Sequence, residues 1–227
     1  HENNTVEKLE KYVMLAPKLR TYEKREVYPL TGSQKGIFAE CSKNPESTVY
    51  NIPFLFELDP AVDPRKLSDA IARMVSAHSY LLTQVYLDDN GEMVQRPGNE
   101  TFVPEVIETT NEKFASQKES LVRPFKLEKG RLLRVAIYVT EDKKYLFTDF
   151  HHIIADGNSY DIIFEDINKA YMGEKLEKES CTGFDAALDE EQQMKEGKYK
   201  KAEKYYDSIF EGIETESLPM PDLNGKA

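Results

Sequence analysis

Two runs of alternating apolar residues, Leu132–Thr140 and Tyr145–Phe150, are joined only by the polar stretch Glu141-Asp142-Lys143-Lys144. In the first run Leu133, Val135, Ile137 and Val139 share one face of a strand. So short a connection makes the two strands antiparallel neighbours. The second run ends on His151-His152, and Asp156-Gly157 follow after three intervening residues. Beyond them Ile163, Phe164, Ile167, Ala170 and Tyr171 recur at helical spacing. The unit is therefore strand, turn, strand, helix, and it requires a sheet with a covered face. Successive side chains of a strand point to opposite faces. If the strand holds to its end, His151 and His152 do not share a cavity: one reaches a substrate and the other is held by the structure. A histidine delivered to a turn, with a carboxylate nearby, suits a positioned base.

The rest of the chain supplies more strands and helices. A helix is expected from about Ser33 to Cys41, and a strand over Val49–Leu58 with Pro53 placing it near an edge or bulge. Asp63-Pro64 opens a second helix with an acidic cap and proline in the first turn. Leu67, Ala70, Ile71, Met74, Val75 and His78 lie on its buried face, so His78 reads as a packed or capping residue. Tyr80–Leu87 and Glu92–Arg96 read as strands around the hairpin signal Asp88-Asp89-Asn90-Gly91. Asn111–Leu121 reads as a helix, Gly197 as a break in a charged tract, and Tyr199–Phe210 as a last apolar stripe stopped by Gly212. Residues 5–15 could form a short helix, and Leu218–Gly225 has linker chemistry. Strands and helices alternate, with hairpins among them. The fold class is α/β, an α+β two-layer sandwich whose mixed, largely antiparallel sheet is flanked by helices.

Charge and cysteine content narrow the function. The net charge of −11 disfavours nucleic acid, whose phosphates need clustered Lys and Arg, and equally an anionic membrane surface. No apolar run reaches the ~20 residues that span a bilayer. The first residues lack a signal-peptide pattern. Cys41 and Cys181 match no metal or redox spacing and read as reduced thiols, which favours a cytoplasmic setting.

The residues alone leave four readings of 151–157. The histidines could simply be satisfied by hydrogen bonds at a strand end. A metal site would need three or four converging ligands, in a chain with four histidines, one of them terminal. A nucleophilic hydrolase would need a G-x-S-x-G elbow, which Thr31-Gly32-Ser33-Gln34 is not. The fourth is acyl transfer without a covalent enzyme intermediate, a histidine taking the proton of an incoming amine or hydroxyl.

His151-His152-x-x-x-Asp156-Gly157 resembles the active-site motif of the chloramphenicol acetyltransferase-like superfamily, and the flanking sequence resembles its condensation domains of nonribosomal peptide synthetases. Tyr28-Pro29-Leu30-Thr31-Gly32-Ser33-Gln34-Lys35-Gly36-Ile37 is similar to their opening motif. Ala77-His78-Ser79-Tyr80-Leu81-Leu82-Thr83 is similar to their second motif. Arg123-Pro124-Phe125-Lys126-Leu127, then Gly130 and Leu132-Leu133-Arg134, resemble the stretch before the histidine strand. Tyr205-Tyr206 and Leu218-Pro219-Met220-Pro221-Asp222 resemble the end of the family's N-terminal half. Ala77, Ser79 and Leu82 stand where the second motif has Arg, Glu and Arg. Asn158 replaces a common tryptophan and Lys126 a frequent aspartate.

The resemblance implies an acetyltransferase-like N-terminal lobe over 27–216, preceded by a lead-in over 1–26 and followed at 217–227 by the start of a crossover to a C-terminal lobe. It implies amide-bond formation between an acyl or peptidyl thioester and an aminoacyl thioester. Both ride on the 4′-phosphopantetheine arms of upstream and downstream peptidyl carrier proteins, with an adenylation domain as neighbour. His152 would be the general base or amine-positioning residue. His151, Asp156 and Gly157 would support the motif, Asp156 through an ionic or hydrogen-bonded partner and Gly157 through a backbone freedom or close approach. No metal and no directly bound cofactor is implied, and one lobe alone is expected to be inactive. A free acyl-CoA transferase, an epimerisation domain and a non-catalytic carrier-docking module are the alternatives; against the first, residues 158–227 follow a motif that free transferases carry near the C-terminus.

Overall fold

The computed structural model describes residues 20–212. The chain divides into two compact units, His1–Glu190 and Glu191–Ala227. The readings at 5–15 and 218–225 lie outside the described residues.

The first unit is built on a four-stranded sheet of order β2-β7-β6-β5. Strand β2 is Asn51–Glu57, β5 Glu105–Glu108, β6 Leu133–Val139 and β7 Lys144–His151. β7 is antiparallel to both β2 and β6, and β5 runs parallel to β6. The alternation read from the sequence sorts the side chains. Leu133, Val135, Ile137, Leu146 and Phe150 join the main core, while Ala136, Tyr138, Tyr145 and Phe147 pack in a second cluster with Phe114. Pro53 lies on the sheet edge. His152 N–H reaches Tyr50 O and Leu58 N–H reaches Lys144 O, so the bonds to β7 fall on even positions. By antiparallel alternation, the donor that Pro53 lacks falls on the open side.

Helix α1 (Gly32–Lys43) starts on a capping box in which Thr31 and Gln34 exchange hydrogen bonds. Helix α2 (Pro64–Ala77) is capped by Asp63, whose carboxylate accepts from Arg65 and Lys66 N–H. Leu67, Ala70, Ile71, Met74 and Val75 are buried at the predicted spacing. Full burial of a side chain such as Ile71 or Met74 contributes roughly 1.5–3 kcal/mol. Helix α4 (Gly157–Tyr171) buries Tyr160, Ile163, Ile167 and Ala170. The short α3 (Asn111–Gln117) brings Phe114 to the second cluster, and its expected last turn tightens to 3₁₀ at Lys118–Ser120.

A smaller sheet has the order β1-β4-β3, from Tyr28–Pro29, Met93–Arg96 and Gln84–Leu87. Gly91, at φ 78°, closes the hairpin, where Asp88 accepts from Asn90 and Glu92 N–H. The strand expected over Tyr80–Leu87 begins only at Gln84, after a 3₁₀ turn at Ser79–Leu82. The reason is packing. Tyr80, Leu81 and Leu82 all turn toward the core, which consecutive strand residues cannot do.

Helix α5 (Gly183–Lys195) lies in the tract read as a charged face or loop, with Phe184 stacked on Tyr28 and Leu188 packed in the same cluster. In the second unit, α6 (Lys200–Phe210) follows Gly197 at φ 70° and stops before Gly212 at φ 78°.

Candidate active site at the histidine turn

His151 is the last residue of β7 and His152 the first beyond it, and the alternation of the strand separates them. His151 is 2% exposed. Its ring meets the edge of Phe125 at 5.6 Å, and its Nε2 lies 3.6 Å from Cys41 Sγ. Ile153 N–H donates to His151 Nδ1 at 3.1 Å, so Nδ1 carries no proton and the neutral ring is protonated at Nε2. Burial, reinforced by the charges of His152 and Arg134, pushes its pKa down to about 4. His151 is a neutral structural wedge.

His152 is exposed. Its backbone N–H is bonded to Tyr50 O at 2.8 Å, and its imidazole makes no hydrogen bond among the described residues. Of the two rings, this is the one a substrate can reach.

Asp156 is the N-cap of α4. Its carboxylate accepts from Ser159 N–H at 2.9 Å and Ser159 Oγ–H at 2.7 Å, which holds it below the usual carboxylate range. Gly157 is the first residue of the helix. Its φ is not positive, and a Cβ there would meet nothing within 4 Å. The expected backbone freedom or close approach is therefore not what the fold requires at this position. The packing needs of the described residues do not call for a glycine.

Sequence reasoning did not assign the groups that hold the turn. Gln34 is buried on α1, and its Nε2 donates to Ile153 O at 2.9 Å and Tyr80 Oη at 2.8 Å. Its position on the stripe Gln34, Ile37, Phe38, Cys41 was the available signal: a polar residue on an apolar helix face needs partners. Asp149, fully buried in β7, stands opposite Arg134 of β6. Arg134 Nη1 lies 2.9 Å from Asp149 Oδ2, and the guanidinium also donates to Arg123 O and Pro124 O. It thereby holds the loop that presents Phe125 to His151.

A cleft of about 340 Å³ lies against the inner side of the turn, between Ile153–Asp156 and Glu179–Gly183. His152 does not line it. His78 does, buried, with Nδ1 2.7 Å from Glu179 Oε1 and Nε2 2.8 Å from Asp166 Oδ2. The hydrogen bond to Glu179 raises its pKa against the opposing effect of burial, with Asp166 assisting. His78 is thus a packed residue clamped between two carboxylates. Among the described residues no group of three or more His, Cys, Asp and Glu could hold a metal ion, and no helix is long and apolar enough to cross a membrane.

The condensation-domain family model matches residues 24–226. The chain is 31% identical over 207 residues to surfactin synthase subunit 2 of Bacillus subtilis (strain 168), covering 90% of this chain and 6% of that protein. It is 32% identical over 201 residues to tyrocidine synthase 2 of Brevibacillus parabrevis, covering 87% and 6%. Among solved structures, the starter condensation domain of rhizomide synthetase RzmA superposes with a TM-score of 0.70 at 20% identity, over 84% of this chain and 49% of that one. The X-domain of teicoplanin biosynthesis, solved in complex with OxyB, gives 0.75 at 20% identity, over 90% and 48%. The chain therefore spans about half of these solved chains and a small part of the synthetases.

Proposed function

The chain belongs to the condensation-domain family of nonribosomal peptide synthetases, and we propose that it is the N-terminal half of a domain that forms an amide bond between two carrier-bound thioesters. The observation that carries this reading is the division of labour at the turn: His151 buried and neutral, His152 exposed with an imidazole that makes no hydrogen bond among the described residues. The amine of a carrier-bound aminoacyl thioester attacks the carbonyl of the upstream acyl or peptidyl thioester. The C–N bond forms, the C–S bond breaks, and the thiolate of the donor's phosphopantetheine arm leaves. The proton lost by the amine passes to His152, or His152 orients the amine while the proton goes to the departing sulfur. Either role is compatible with a positioned base worth roughly 10²–10⁴-fold, because holding both thioesters in register can supply about 7–11 kcal/mol. His151 and Asp156 support the turn, His151 from the core and Asp156 as the cap of α4. Residues 27–216 form the lobe, with 1–26 and 217–227 as its lead-in and exit. The partners are the two carrier proteins and the remainder of the parent chain, including a C-terminal lobe and an adenylation domain.

The test is single-turnover condensation by the parent protein with both carriers loaded. His152→Ala is expected to lower the rate by about 10²–10⁴-fold. A folded variant turning over at the wild-type rate removes His152 from the chemistry. A second reading is a non-catalytic carrier-docking module that keeps the fold, suggested by Ala77, Ser79 and Leu82 in the second motif. Carrier binding with no condensation by the wild-type parent would establish it.

A further inference from the structure

We propose that Gln34 is a positioning residue for His152, acting through the carbonyl of Ile153; this rests on the role of His152 in amide-bond formation given above. The imidazole of His152 makes no hydrogen bond among the described residues, so its aim is set by its backbone. Besides the turn's own Ile154 N–H to His151 O at 3.0 Å, three bonds hold that backbone. His152 N–H donates to Tyr50 O at 2.8 Å, and Ile153 N–H to His151 Nδ1 at 3.1 Å. Both come from the sheet and from the turn itself. The third, Gln34 Nε2 to Ile153 O at 2.9 Å, comes from α1, 119 residues away in the chain.

Gln34 is suited to the task because its amide has no freedom left. Oε1 accepts from Thr31 N–H at 3.0 Å and from Gln95 Nε2 at 3.3 Å. Nε2 donates to Ile153 O and to Tyr80 Oη, and Tyr80 in turn donates to Gln95 Oε1 at 2.9 Å. Gln95 Nε2 also donates to Pro29 O at 2.9 Å. A backbone N–H can only donate and a backbone C=O only accept, so Thr31 and Ile153 fix which end of the amide is which. Gln34, Tyr80 and Gln95 then close a ring of hydrogen bonds running in one direction, an arrangement in which each bond strengthens the next. Gln95 is fully buried, and burial pushes the Tyr80 hydroxyl up to about 12, so it stays protonated and donating. The ring joins three stretches far apart in sequence: the start of α1, the 3₁₀ turn after His78, and β4. Among the described residues its hydrogen bond to the histidine turn is the one to the Ile153 carbonyl. Glutamate at position 34 would have nearly the same shape but would set an oxygen against that carbonyl.

The test uses Gln34→Glu and Tyr80→Phe. Amide hydrogen exchange is measured on this 227-residue chain. Gln34→Glu is expected to speed exchange of the His152 and Ile153 amides by about tenfold or more relative to Ile137 and Tyr138 in the sheet centre. In the parent protein with loaded carriers, kcat for condensation should fall by about 10²-fold with the KM for each carrier unchanged, the size expected of an ångström-scale misplacement. Tyr80→Phe leaves the bond to Ile153 in place and should cost less than tenfold by the same reasoning. Wild-type exchange at His152 and Ile153 in a folded Gln34→Glu protein overturns the proposal. So does faster exchange spread evenly over the sheet, or a loss confined to KM. If the wild-type parent forms no amide bond, the functional reading fails, and the exchange result still decides whether Gln34 holds the turn.

Discussion

Arg134 and Asp149 face each other across the β6–β7 pair, 2.9 Å apart from Nη1 to Oδ2, with Asp149 wholly buried and the Arg134 side chain 20% exposed. Asn51 Nδ2 supports the same carboxylate oxygen at 2.8 Å, while Asp149 Oδ1 is buried without a partner among the described residues. Arg134 lies 3.7 Å above the Phe125 ring, whose edge meets His151. The pair is therefore a brace behind the histidine turn, reaching it through Phe125, while Gln34 reaches it through Ile153.

Breaking this brace from one end should cost more than removing it. Arg134→Met leaves a buried, partly unpaired carboxylate and should lower stability by roughly 3 kcal/mol, the low end of the range because Arg134 keeps some solvent. The double variant Arg134→Met/Asp149→Leu should recover most of that loss. Urea unfolding of this chain decides it. A single variant within 1 kcal/mol of wild type, or a double variant that is worse, would show that Arg134 is not compensating Asp149.

The two histidines should separate in the same assay. His151→Ala removes a buried wedge between Phe125 and Cys41 and should cost about 2–3 kcal/mol. His152→Ala removes an exposed ring and should stay within about 0.5 kcal/mol. Equal losses would mean that His152 is packed and that its loss of activity is a folding effect.

The histidine hairpin was legible because one short segment carries both its periodicity and its turn. The faces of β6 and β7, the cap of α2 at Asp63 and the edge position of Pro53 follow from local rules. What was not legible depends on pairs distant in sequence. Gln34 stands in the opening motif, yet its partner Ile153 is 119 positions away, and no spacing rule links them. Glu105–Glu108 escaped notice because a four-residue strand beside β6 is specified by its neighbour and shows no pattern of its own. Tyr80–Leu82 misled because an apolar run suits a strand and a core-facing turn equally well.

Glycine positions offer a check on the backbone. A Cβ at Gly98 would lie 2.1 Å from the backbone oxygen of Leu82, so Gly98→Ala must shift the chain and should cost about 1–3 kcal/mol. Gly36 lies inside α1, exposed, where a Cβ meets nothing within 4 Å. Gly36→Ala should stabilise by roughly 0.5–1 kcal/mol through lower chain entropy in the unfolded state. The two melting temperatures should move in opposite directions, and a shift of both in one direction would contradict this packing around Gly98 or α1.

Stability should peak near the ordinary histidine pKa, because His151 and His78 titrate in opposite senses. His151 has a folded pKa of about 4, below the unfolded 6.5. Above 6.5 both states are neutral and its contribution is complete. Between 6.5 and about 4 the unfolded chain takes up a proton that the fold refuses, and up to about 3 kcal/mol is lost. His78 has a folded pKa raised by Glu179 and Asp166, so its contribution is complete below 6.5 and is lost as pH rises through the folded value. Asp149, raised by burial, opposes the His151 limb, so the comparison with a variant isolates the histidine. His151→Gln should flatten the fall between pH 6.5 and 4 and leave the carboxylate-driven decline below it, where Asp63, Asp88, Asp156 and Asp166 are all held below their ordinary range. His78→Gln should flatten the alkaline side instead. Urea midpoints measured across pH 4 to 9 read both limbs. An acid limb that survives His151→Gln unchanged would place a proton on His151 in the folded state and undo its assignment as a neutral wedge.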